Sequence, residues 1–136
     1  MLQTDSTDVI ARWGLALVKE QLGNPAEAIA ILEPIAGVSP NRLSSLGHAY
    51  AIAGKTAQAR AVLDTLEARA TRTYVPAYWF ALLHAGLGER EEAMTSLERA
   101  YQERSTVLAY LRIDPRLAPL HELPRFQALV KRLEGE

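Results

Sequence analysis

The sequence has no cysteine, so neither a disulfide framework nor a thiolate metal site is open to it. It has no surplus of either charge: fifteen basic residues stand against sixteen acidic ones, for a net charge of -1. A nucleic-acid or anionic-membrane surface needs a basic excess on one face, so neither partner is expected. No apolar run approaches membrane-spanning length. The opening MLQTDSTDVI lacks the basic and apolar regions of a secretory signal. The expectation is a soluble, cytoplasmic chain. With 136 residues, 49% of them apolar, it has the material for a single domain with its own core and is too apolar for disorder.

Site chemistry is equally scarce. His48, His84 and His121 fall on separate elements, without the His-x-x-x-His or Glu-x-x-His spacing by which one helix grips a metal. HAGLGE, residues 84–89, joins two helices rather than a strand and a helix, so it is no phosphate loop. Glu91 and Glu92 are adjacent and point different ways, unlike a catalytic carboxylate pair. No nucleophile lies in register with a base. We therefore expect no catalytic residue, no metal and no cofactor: the chain is not read as an enzyme.

What is present is a repeat. GNPAEAIAIL, GKTAQARAVL and GEREEAMTSL start at Gly23, Gly54 and Gly88, and place Ala28, Ala59 and Ala93, then Leu32, Leu63 and Leu97, in phase. A period of this size marks stacked supersecondary units. Each copy reads as two helices around a tight turn. Leu43, Leu46, Gly47 and Tyr50 share one face of the middle copy's first helix. Gly47 therefore lies on the buried face, where a missing side chain lets the second helix come close and offsets its poor propensity of about 1 kcal/mol. Gly54 ends that helix, where left-handed geometry favours glycine. Asn24, Pro25 and Glu27 read as N-cap, first helical residue and capping box. Pro34 should kink or shorten its helix.

LGHAYAIAG, residues 46–54, followed by Ala59 and Leu63, resembles the tetratricopeptide repeat, whose first helix carries Leu-Gly-x-x-Tyr and whose second carries Ala-x-x-x-Phe/Leu. The first copy keeps Leu15, Ala16, Ala28, Leu32 and a closing Pro40; the third keeps Phe80, Ala81, Ala93, Leu97 and Ala100. The tryptophan place holds Arg12, Leu43 and Ala77, and the tyrosine place holds Lys19 and His84 in the outer copies. The first copy is thus atypical. The resemblance implies an all-α fold: an α-solenoid of three helix-turn-helix repeats, at about 9–39, 40–73 and 74–105, forming one domain with a capping tail over 106–136.

The tail, STVLAYLRIDPRLAPLHELPRFQALVKRLE, breaks the period. A short helix is expected near 106–112, a turn at Asp114 and Pro115, and a final helix from Pro124 with Phe126, Leu129, Val130 and Leu133 on its apolar face. YLRIDPR, Pro119-Leu120 and PRFQALVKRL also resemble the ends of tetratricopeptide arrays in bacterial signalling proteins. That narrower likeness implies the regulatory end of a longer chain bearing a transcription-regulator, cyclase or kinase domain.

The repeat resemblance further implies a concave groove, lined by the first helices, that holds a peptide or partner domain. Its members here are Trp13, Leu17 and Glu20, then Asn41, Ser44 and His48, then Tyr78 and Leu82. The same places in chaperone-tail binders carry a clamp of lysine, arginine and asparagine; no such cationic clamp is found here, so that partner is not expected. His84 reads as a hydrogen-bonded core histidine. A protein or peptide partner is the leading expectation and small-molecule sensing the alternative. Self-association through the first repeat's exposed flank is a third.

Overall fold

A computed structural model describes residues 7–135. Six helices form three successive hairpins: α1 (Thr7–Gln21) with α2 (Pro25–Ala36), α3 (Pro40–Ile52) with α4 (Thr56–Ala70), and α5 (Ala77–Gly86) with α6 (Arg90–Gln102). Two 3-10 segments, Thr106–Tyr110 and Pro115–Leu120, lead into α7 (Pro124–Glu134). The hairpins stack in order, α3 packing against both α2 and α5.

The turns explain why the glycines recur. Gly23, Gly54 and Gly88 sit at φ 84°, 83° and 78°, the left-handed region that glycine enters without a Cβ penalty. Around each, the chain makes the same backbone bonds. At the second turn Ala53 N donates to Ala49 O, Gly54 N to Ala51 O, and Lys55 N to Tyr50 O, at 3.0, 3.1 and 2.8 Å. This closes the exposed carbonyls of the helix end. The pattern appears a fourth time after α6, but there Arg104 holds the left-handed position at φ 57°.

Asn24 caps α2 as expected, its Oδ1 accepting from Glu27 N at 3.4 Å. Glu27, however, takes the Asn24 side-chain amide at 2.7 Å rather than its backbone N–H. That backbone group is already bonded to Lys19 O at 2.9 Å, so the reciprocal half of a capping box has no donor to use. Helix α2 runs through Pro34 and stops at Ala36. Pro40 opens α3 behind an Ser39 N-cap, where its missing N–H costs nothing.

Gly47 lies deep in the stack. A Cβ there would run into Leu83 Cδ2 on α5 and stand 3.0 Å from Val62 Cγ1 on α4, so the glycine seats two helices at once. Side chains then pin successive layers: Tyr50 donates to Glu33 Oε2 at 2.6 Å, and Arg42 Nε to Ile35 O at 2.7 Å. Burial, followed by the Glu33 hydrogen bond and charge, pushes the Tyr50 hydroxyl up to about 12.

The core has two parts. One joins α1 to α4 with Phe80 and Leu83; the other joins α5, α6, the 3-10 segments and α7, and Trp79 packs against both. The tail closes the stack. Phe126 and Leu129 are buried, Val130 and Leu133 partly so. Arg125 fixes α7 to α6 through Glu98 at 2.6 Å and Glu91 at 2.7 Å, and Arg132 lies 4.7 Å over the Tyr101 ring. The expected 106–112 helix is a 3-10 segment ending at Tyr110, and the expected turn at Asp114 caps a second one: its Oδ1 accepts from Arg116 N at 3.0 Å. Pro119 removes a donor that an α-helix would need here.

Candidate functional site

A groove of about 800 Å³ runs along α1 and is closed on the far side by the tail. Trp13, Leu17, Glu20, Asn41 and Tyr78 line it, so five of the eight groove positions named from the sequence meet at one cavity. The other three do not line it. Ser44, His48 and Leu82 are 0%, 3% and 0% exposed. Ser44 donates its hydroxyl to Trp79 O at 2.7 Å, Leu82 belongs to the second core, and His48 is wedged between Glu20 and the bare backbone of Gly86. For Ser44 and His48 the cause is shared. Helix α3 has a hairpin on either side, so the side that should face solvent is covered too: all of Ser44 to Tyr50 is buried.

The groove's remaining walls were not named from the sequence. Val18 and Leu22 extend α1's contribution, Trp79 adds a second aromatic from α5, and Val107, Tyr110, Ile113 and Arg116 arrive from the tail. The tail had been assigned only a capping role. Its 3-10 connection bends back across the first helices, a long-range contact that no local period encodes. The one available signal was the apolar-charged string YLRIDPR, whose Ile113 and Tyr110 are 72% and 59% exposed.

A chain of hydrogen bonds spans the floor and ties the tail to all three hairpins. Trp13 Nε1 donates to Ser45 Oγ at 3.0 Å, and Arg116 Nη1 donates to the same oxygen at 3.2 Å. Arg116 Nε and Nη2 grip Asp114 Oδ1 and Oδ2, both at 3.0 Å. Tyr78 donates to Asp114 Oδ2 at 2.6 Å. Such a planar two-point pair is the strongest ordinary charge-assisted contact. Burial pushes the Asp114 carboxyl up, but the Arg116 guanidinium and the Tyr78 hydroxyl outweigh it and hold the group below its ordinary value. Burial, then the Asp114 charge, drives the Tyr78 hydroxyl far up, so it stays a donor.

Of the histidines, His84 is partly buried and its Nδ1 lies 2.8 Å from Glu89 Oε1. Arg60 bonds the same carboxylate and, ahead of His84, holds Glu89 below the ordinary range. His121 is exposed, with its ring against Phe126 at 4.9 Å between centroids. Among the described residues no three acidic or histidine side chains gather closely enough to hold a metal ion, and no helix is long and apolar enough to cross a membrane.

The tetratricopeptide repeat family matches residues 9–34 and 41–65, the first two hairpins. No curated protein and no solved structure matches the chain. The third hairpin lies outside the matched segments, yet it turns on a left-handed glycine with the same set of backbone bonds. The first two hairpins are thus tetratricopeptide-like repeats, and the third is built on the same turn.

Proposed function

We propose that this protein is an interaction module whose groove takes an apolar segment of a partner protein. Tetratricopeptide repeats are non-catalytic and generally mediate protein–protein interaction. One observation carries the reading to this groove: its rim leaves Val18, Leu22, Tyr110 and Ile113 exposed at 52%, 74%, 59% and 72% around a single cavity. Exposed apolar side chains scattered over a surface are ordinary, but several converging on one cleft mark a binding site. The unit in this reading is the whole chain, three repeats and a cap, because the tail supplies one wall.

The test is a pair of groove substitutions, Leu17→Ser with Ile113→Ser, compared with the unchanged chain in partner capture. Loss of the captured partners with an unchanged melting temperature is expected. Identical partner profiles from two equally folded samples would remove the groove from the account.

The size of the groove supports a second reading. About 800 Å³ lies within the range of small-molecule sites, and aromatic walls with a polar floor suit a metabolite. In that case the chain is a sensing or regulatory region of a bacterial signalling protein, as the tail's likeness implies. A small molecule retained through purification, and lost with the same double substitution, would favour it.

A further inference from the structure

Three buried side-chain atoms among the described residues have no hydrogen-bond partner: Glu20 Oε1, Asn41 Oδ1 and His48 Nδ1. Two of them, Glu20 and Asn41, belong to residues that line the groove, and both are acceptors. Glu20 is the more demanding. Its side chain is only 4% exposed, and its Oε2 lies 2.6 Å from His48 Nδ1 without hydrogen-bond alignment. Native proteins leave few buried polar atoms unpaired, and each one calls for an explanation.

The other charges of the groove do not answer it. The Arg116 guanidinium is spent on Asp114 and Ser45, and its charge is matched by the Asp114 carboxylate. Lys19, the neighbouring cation on α1, turns to Glu27 at 3.4 Å. Glu20 is thus the one lining carboxylate left without a cation from the lining. His48 Nδ1 stands at Oε2, and an apolar occupant alone would leave Oε1 buried with no donor, which is unfavourable.

We propose, resting on the groove reading above, that the occupant is an apolar segment carrying one basic side chain, arginine or lysine, whose N–H donors reach Glu20 Oε1. The aliphatic stem of such a residue packs on Trp13, Leu17 and Val18 while its head meets the carboxylate. Asn41 Oδ1 accepts a second donor from the same segment. Selectivity resides in the charge of Glu20 and affinity in the apolar walls.

The probe is a set of short fluorescent peptides of leucine and alanine that differ only at the central residue: arginine, lysine, citrulline or glutamate. Binding to the full chain is read by fluorescence polarisation. Arginine and lysine peptides should bind at least about tenfold more tightly than the citrulline peptide, the scale of a hydrogen bond to a charged group, with glutamate weakest. Glu20→Gln should abolish that preference and leave the citrulline peptide unaffected. Equal binding of arginine and citrulline peptides to the unchanged protein, a comparison that needs no variant, overturns the proposal and leaves the groove reading standing. A basic preference that survives in Glu20→Gln overturns it as well. Failure of every peptide to bind, or binding that ignores the Leu17→Ser and Ile113→Ser pair, removes both.

Discussion

Helices α1 and α3 hold equivalent places in successive repeats, yet they meet different surroundings. Helix α1 buries Ala16 and Glu20; α3 buries every residue from Ser44 to Tyr50. Leu15 and Leu46 occupy the same repeat position and are 48% and 7% exposed. The difference comes from the stack. Helix α3 has a hairpin before it and another after it, whereas the described residues place nothing before α1. Ala11, Leu15 and Val18 on α1, with Leu22 just past its end, therefore form an uncovered apolar stripe, while polar Ser44 and Ser45 lie fully buried on α3. Burial in a solenoid follows rank in the stack as much as residue type.

The largest expected effect comes from loosening the tail's hold on the centre. Arg116→Met leaves Asp114 buried without its cation and should cost about 3–5 kcal/mol in chemical denaturation. Acid should act on the same joint. Because the Asp114 carboxyl is held below its ordinary value of 3.8, its contribution is complete above that value and disappears as pH falls through the lower folded value. Tryptophan fluorescence, with Trp13 and Trp79 both at the groove, should report a transition below pH 3.8 that is absent from Asp114→Asn.

The comparison of the two leucines comes next. Leu46→Ala should cost about 2–5 kcal/mol, as large-to-small changes in packed cores do. Leu15→Ala should cost less than about 1 kcal/mol. Equal losses would mean that Leu15 is covered in solution, for instance by a second copy of the chain, which sedimentation would reveal.

The two helical glycines sharpen the contrast further. Gly47→Ala should lose about 1–3 kcal/mol through the collision with Leu83 and Val62. Gly14→Ala on α1 meets nothing within 4 Å and should gain up to about 1 kcal/mol from helix propensity. A gain from both would mean that the α4 and α5 contact at Gly47 is loose.

The smallest effect concerns the last turn. Arg104 repeats the left-handed conformation of the three glycines, a strain of about 1–2 kcal/mol for a residue with a Cβ. Arg104→Gly should return about 1 kcal/mol after glycine's greater chain entropy is subtracted. A thermal melt is sufficient to see it.

These pairs show where the sequence could be read. The three glycine turns were legible because a left-handed position leaves its mark in residue type; the fourth was not, because Arg104 carries no such mark. Gly47 was legible as a seat, although that its neighbours would be both Val62 and Leu83 was not. Trp13, Leu17, Glu20, Asn41 and Tyr78 were placed at the groove by repeat position, since equivalent positions on successive hairpins point the same way. Ser44, His48 and Leu82 failed by the same rule because neighbouring layers cover them. The far wall, from Val107 to Arg116, left only the apolar-charged string YLRIDPR as a sign. Its place depends on Arg116 meeting Ser45 and Asp114 meeting Tyr78, contacts between distant parts of the chain.

By itself the sequence determined that helices form, where they turn, and which faces carry small and apolar residues, because propensity, capping and left-handed turns act within a few residues. Tertiary structure alone decided which polar side chains are entombed, which apolar stripe is left bare, and that the tail folds back to make a groove from a curved surface. Those outcomes depend on what each helix meets across space, and distance along the chain says little about that.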